Sequence, residues 1–219
     1  MNSAQLALDL IQPLTPTLDN FVPGRNAEAL ATLRAVQAGG GPQFVYLWGE
    51  TGAGCSHLLR ALGGERVAEG KSGVAPPEFD PAIELYCVDD VDRLTGDEQS
   101  RLFILMNEVR AHPAARLVAA GRFPPAQLAL RDDVRSRLAW GLVYQMHPLS
   151  DVEKAQALVA HAGSRGIVLS PEVRAWMLAH LPRDMRTLVA VLDAIDSYAL
   201  VRQRPITVPL LREWLASSQ

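Results

Sequence analysis

The run at residues 44–56, FVYLWGETGAGCS, constrains the fold more than any other stretch of the chain. Its apolar and aromatic start reads as a short buried strand, glycines at 49, 52 and 54 follow at once, and SHLLRAL continues with helical spacing. A strand that breaks into a glycine loop and then a helix is the local order needed to cradle a phosphate. The glycines let backbone N–H groups turn inward, and the helix adds the positive end of its dipole. The spacing is that of G-x-x-x-x-G-K-[ST], with Cys55 at the lysine position and Ser56 placed to reach a metal ion or a phosphate oxygen. A plain Gly-rich turn between strand and helix is the competing reading of the same residues.

Further apolar runs at IELYCV (83–88), RLVAAG (116–121) and LVYQM (142–146) read as strands, and 26–37 and 97–112 have helical spacing. Alternation of this kind predicts a mostly parallel sheet with helices on both faces. The intervening stretch 63–82 is rich in Gly, Pro and charge and has room for at most one short strand. After His147-Pro148 the strand signals stop. Ser150 and Glu153 form a capping box, Gly163 or Gly166 ends that helix, Ser170-Pro171-Glu172 opens another, and helical patterns at 185–201 and 208–216 complete a small α-helical unit. The expected organisation is a tail over 1–16, an α/β domain over 17–147 and a helical domain over 148–219.

Composition narrows the function. With 48% hydrophobic and 21% charged residues and a net charge of −3, the chain is globular in type and poorly suited to unspecific DNA binding, which draws on many Lys/Arg–phosphate contacts. Cys55 and Cys87 form no CxxC pair, so neither a disulfide framework nor a zinc site is expected. No apolar run reaches membrane-spanning length and the N-terminus lacks a signal-peptide pattern, which predicts a cytoplasmic protein without metal. No Ser/His/Asp or Cys/His arrangement has supporting context. Tryptophans 48, 140, 176 and 214 read as core or interface anchors, and His57 as a packing residue.

Within the loop, Cys55 cannot supply the positive charge of a lysine. A neutral thiol adds nothing against the phosphates, and a thiolate stabilised by the helix terminus would repel them. Asp89-Asp90, at the end of an apolar strand, fits a pair in which the first acid helps hold a metal and the second orients water. It fits equally a solvated strand end with an acidic helix cap.

Taken together, TLDNFVPGRNAEAL (17–30), GAGCSHLL, VDDVDRL, SRLAWGLVYQMHPLSD (136–151) and PRDMRTLVAVLDAI (182–195) resemble the AAA+ module of the DnaA/Hda family, and most closely its short members, which lack the basic DNA-binding domain. The resemblance spans nearly the whole chain. It implies a P-loop NTPase-like αβα sandwich with a parallel sheet plus a small helical lid, and ADP as the nucleotide. By the same resemblance Phe21, Gly24 and Asn26 border the adenine pocket, Gly49, Gly52, Gly54, Cys55, Ser56, Asp89 and Asp90 surround the phosphates, and Arg186 is the sensor II arginine of the lid. Arg137 in SRLAWG becomes an arginine finger, a planar permanent cation offered to a neighbour's γ-phosphoryl group; without the resemblance it is a surface arginine closing a short helix. Three departures point to loss of the chain's own hydrolysis: Cys55 where short relatives carry arginine, Ala119 and Ala120 in the sensor I region, and a shortened 63–82 stretch that suggests a lost strand, helix or both.

The tail segment QLALDL has Leu6, Leu8 and Leu10 at every second position. Alone it suggests an edge strand or a disordered start. The resemblance implies a peptide for the sliding clamp, the β subunit of DNA polymerase III, with Gln5 at the pocket rim and the leucines in an apolar groove. The expected function is a regulator that binds the DNA-loaded clamp and stimulates hydrolysis of DnaA-bound ATP in trans, with DnaA as second partner. An active AAA+ ATPase of helicase-loader type and a degenerate interaction module are the alternatives.

Overall fold

The computed structural model describes residues 15–63, 67–70, 75–182 and 184–217. The chain divides into two compact units, one over Pro16–Pro148 and one that includes Leu149–Gln219. Among the described residues, no helix is long and apolar enough to cross a membrane.

Among the described residues the first unit holds five strands, β1 (Phe44–Gly49), β2 (Val67–Gly70), β3 (Leu85–Val88), β4 (Arg116–Gly121) and β5 (Leu142–Met146), all parallel, in the order β2-β3-β4-β1-β5. The strand missing from the expectation for the shortened stretch is therefore present, as β2, while no helix lies in the described part of the β2–β3 connection. A four-residue strand with one glycine leaves little apolar pattern to read, and pairing with β3 supplies what its own sequence does not.

Helices α1 (Ala27–Gln37) and α2 (Cys55–Ala61) pack with Leu33, Leu47, Leu58 and Val118 in one core. Helices α3 (Gly96–Ala111) and α4 (Asp132–Leu138) pack with Tyr46, Tyr86, Leu105 and Leu117 in another. The strand residues alternate between the two, as a sheet covered on both faces requires. Thr95 and Glu98 close a capping box at the start of α3, which fixes where the chain turns from strand to helix.

The second unit is made of α5 (Asp151–Ser164), α6 (Pro171–His180), α7 (Met185–Arg202) and α8 (Val208–Ser217) around Leu158, Met177, Leu188, Val191, Ile195 and Leu211. Ser150, Ser170 and Asp184 each accept an N–H in the first turn of the helix that follows. Of the two glycines that could end α5, Gly166 does so with φ +73°. The Ile167 N–H returns to the Ala162 carbonyl, a Schellman closure, and Gly163 stays inside the helix.

Candidate functional site

The glycine loop leaves the C-terminal end of β1, which lies between β4 and β5. In open parallel sheets this end is where ligands bind. Each glycine has its own reason. A Cβ on Gly49 would fall 2.4 Å from the Met146 carbonyl oxygen of the neighbouring strand, and Gly52 and Gly54 take φ +90° and +98°. The first intrahelical bond of α2 runs from the Leu58 N–H to the Gly54 carbonyl. The amides of Cys55, Ser56 and His57 thus lie in the open first turn, and Ser56 is half-buried there.

The loop carries no charge of its own at the lysine position. Burial, and then the nearby Asp89 carboxylate, push the Cys55 thiol up to about 12, so at neutral pH it is a thiol and the thiolate alternative is excluded. Asp89 accepts the Asp90 N–H at 2.9 Å. Asp90 itself takes φ +50°, heads the turn Val91–Arg93 and sits 3.9 Å from the Arg93 guanidinium. The structure therefore brings Cys55 and Asp89 together, with Asp90 paired along its own turn.

At the end of β4, Ala119 and Ala120 are fully buried between neighbouring strands and offer only methyl groups. The polar groups there come from elsewhere. The Tyr46 hydroxyl donates to the Phe123 carbonyl at 2.8 Å, and Asp92 accepts both the Arg122 N–H at 3.1 Å and its Nε at 3.2 Å. Burial drives the Tyr46 phenol well above its ordinary range, ahead of the Asp92 charge. Asp92 takes its role from its 30-residue reach to Arg122.

The segment before α1 packs on the loop helix. Phe21 presses on Gly54, where a Cβ would come within 2.6 Å of its ring, and its ring centroid lies 5.5 Å from that of His57. Leu18 is buried in the same core, and the Thr17 carbonyl is 3.2 Å from His57 Nε2, so His57 is engaged in packing. Gly24, with φ +47°, opens a short turn. Asn26 is buried with its carboxamide bonded to one residue: Nδ2 donates to the His147 carbonyl and Oδ1 accepts the His147 N–H, both at 2.8 Å. That side chain ties the entry to α1 to the chain just beyond β5.

Arg137 lies in the last turn of α4, half-buried. Its Nε donates to Asn107 Oδ1 and its Nη1 to the Asp133 carbonyl, both at 3.0 Å, and its guanidinium lies 3.9 Å from the centroid of the Phe103 ring and 5.0 Å from that of Trp140. Asn107 and Phe103, four residues apart on one face of α3, were not legible as partners because they precede Arg137 by 30 residues or more. In the second unit, Arg186 is the second residue of α7, behind the Asp184 cap. A cation in a first turn opposes the helix dipole, and among the described residues no carboxylate pairs with it. The tail residues Gln5, Leu6, Leu8 and Leu10 lie outside the described residues.

A parallel sheet ordered β2-β3-β4-β1-β5, with a glycine loop after its inner strand β1, gives the first unit an α/β P-loop NTPase-like fold. The fold is similar to that of domain III of the replication initiation protein DnaA from Thermotoga maritima, with 21% identity and a TM-score of 0.66 over 94% of this chain and 98% of that one. It is similar also to AMPPCP-bound DnaA from Aquifex aeolicus, at 20% identity and TM-score 0.67 over 86% and 67% of the two chains. The Thermotoga maritima RuvB Holliday junction branch migration motor follows at 15% identity and TM-score 0.63, over 92% and 72%. Residues 151–215 match the family model described as Hda, lid domain. The chain thus joins a segment that matches an Hda lid domain to a fold similar to that of DnaA domain III.

Proposed function

We propose that the chain is a DnaA-related regulator of replication initiation, acting as an adaptor and not as an ATPase in its own right. The tail segment with Gln5, Leu6, Leu8 and Leu10 docks on the DNA-loaded sliding clamp, and Arg137 is offered in trans to ATP bound on DnaA. Hydrolysis there converts the initiator to its ADP form. The observation that carries this reading is the pairing of an Hda lid with a DnaA-like AAA+ fold.

The chemistry of the loop supports an adaptor. Its amides fit a phosphate chain, but the neutral Cys55 thiol beside Asp89 leaves that chain without a counter-charge, and Ala119 and Ala120 supply no hydrogen bond to a γ-phosphate. ADP held by the loop amides and Ser56 is the occupant this donor set favours. Arg137 suits the opposite role, since a ring-stacked guanidinium is preorganised and keeps charge without needing its own active site.

The test is hydrolysis of DnaA-bound ATP in a reconstitution with clamp on DNA. Arg137→Ala is expected to lower the stimulated rate by about 10³-fold, the scale of an arginine finger, and removal of residues 1–12 to abolish clamp binding. Stimulation that survives Arg137→Ala refutes the finger, and retained clamp binding refutes the tail. Hydrolysis by the chain alone would instead mark an active ATPase.

A further inference from the structure

Beside Arg137 stands a second cation. Arg110, in the last turn of α3, is exposed and lies with its guanidinium carbon 4.3 Å from the centroid of the Trp140 ring, which Arg137 also approaches at 5.0 Å. Trp140 is half-buried and held edge-on by Phe44, with ring centroids 5.5 Å apart. The arginines that precede Arg137 are neutralised locally, Arg131 by Asp133 and Arg135 by Asp132. Among the described residues no carboxylate lies within ion-pair distance of Arg110 or Arg137. Two guanidiniums with no carboxylate partner among the described residues thus share one indole.

Stacking has a directional effect. It holds the plane of the guanidinium against the ring while its N–H donors, which lie in that plane, remain aimed outward. A long side chain so held loses less freedom when it meets an anion. For Arg137 two donors are already used inside the chain, whereas among the described residues Arg110 spends none of its own.

We propose that Arg110 is a docking residue that pairs with a carboxylate on the surface of the DnaA-type partner and sets how tightly that partner binds, leaving the rate of the chemical step to Arg137. The proposal rests on the trans-acting reading of Arg137. It commits to a carboxylate because Arg110 lies at the exposed rim of the face, where an acidic side chain meets it without entering a neighbour's active site.

The experiment titrates DnaA-ATP against the full chain on clamp-loaded DNA and separates the half-saturating concentration from the maximal stimulated rate. Arg110→Ala is expected to raise the half-saturating concentration by about 5-fold at low salt, the order of one solvated ion pair. Arg110→Glu should raise it further and Arg110→Lys restore most of it. All three should leave the maximal rate unchanged, and the differences should shrink near 0.5 M salt as screening shortens the reach of charge. An unchanged half-saturating concentration at low salt with a merely lower melting temperature assigns Arg110 to helix stability and overturns the proposal. A fall in maximal rate alone overturns it as well. Failure of the underlying reading looks different, because the wild-type chain would then not stimulate hydrolysis or Arg137→Ala would not matter.

Discussion

Replacing Asn26 probes the tie on which the geometry beside the loop depends. Asn26 makes two 2.8 Å hydrogen bonds to the backbone of His147, 121 positions away, in a buried setting. Asn26→Ala removes both and leaves a peptide N–H and C=O that water reaches poorly. At about 1 kcal/mol net for each bond, plus partial desolvation of the stranded groups, the cost is about 3 kcal/mol. For a unit of this size that is a fall of about 10 °C in melting temperature. Asn26→Asp is the sharper variant. Its carboxylate still accepts the His147 N–H but sets a negative oxygen against the His147 carbonyl, and only the protonated acid can donate there. Protonation is thus favoured in the folded state, and the folded-state pKa rises above the unfolded value of about 3.9. Stability from the protonated form is present in full below that value and is lost as pH rises through the folded pKa. Thermal denaturation at several pH values should place the Asp variant near the Ala variant at pH 7 and nearer wild type in acid. A cost below about 0.5 kcal/mol for Asn26→Ala, less than one hydrogen bond, or no acid recovery for Asn26→Asp, would refute the reasoning.

Two further outcomes concern the loop. Because the Cys55 thiol is raised from 9.0 to about 12, its neutral form is favoured by folding, so its contribution to stability holds below pH 9 and declines above it, and maleimide labelling of the native chain near pH 8 should be much slower than that of the unfolded chain. Titration with ADP followed by thermal shift should show a modest rise in melting temperature at millimolar concentrations, and no rise would mean that the amides alone do not hold the nucleotide.

The outline of the fold was legible because its signals are local. Apolar runs marked β1, β4 and β5 closely, and serine caps marked α5 and α6. β2 was legible only as room for one strand, since Val67–Gly70 depends on its partner β3. For the site, spacing located the loop and its glycines, and the left-handed φ values at Gly52 and Gly54 supply the physical reason for two of them. What spacing could not give is where side chains meet across the chain. Nothing in the spacing announces the bonds of Asn26 to His147, or the Phe103 ring and Asn107 amide that hold Arg137. Arg110 carries no motif; its importance comes from what it lacks and from the ring it shares.

A phosphate loop that ends in lysine has a standing difficulty when vacant, because its own cation is then held among backbone donors with no anion to answer it. The thiol at position 55 removes that difficulty, since burial keeps it uncharged at neutral pH. The apo form of this loop is thus at ease electrostatically. Folding requires no ligand to neutralise it, and the native state gains no charge pairing from one.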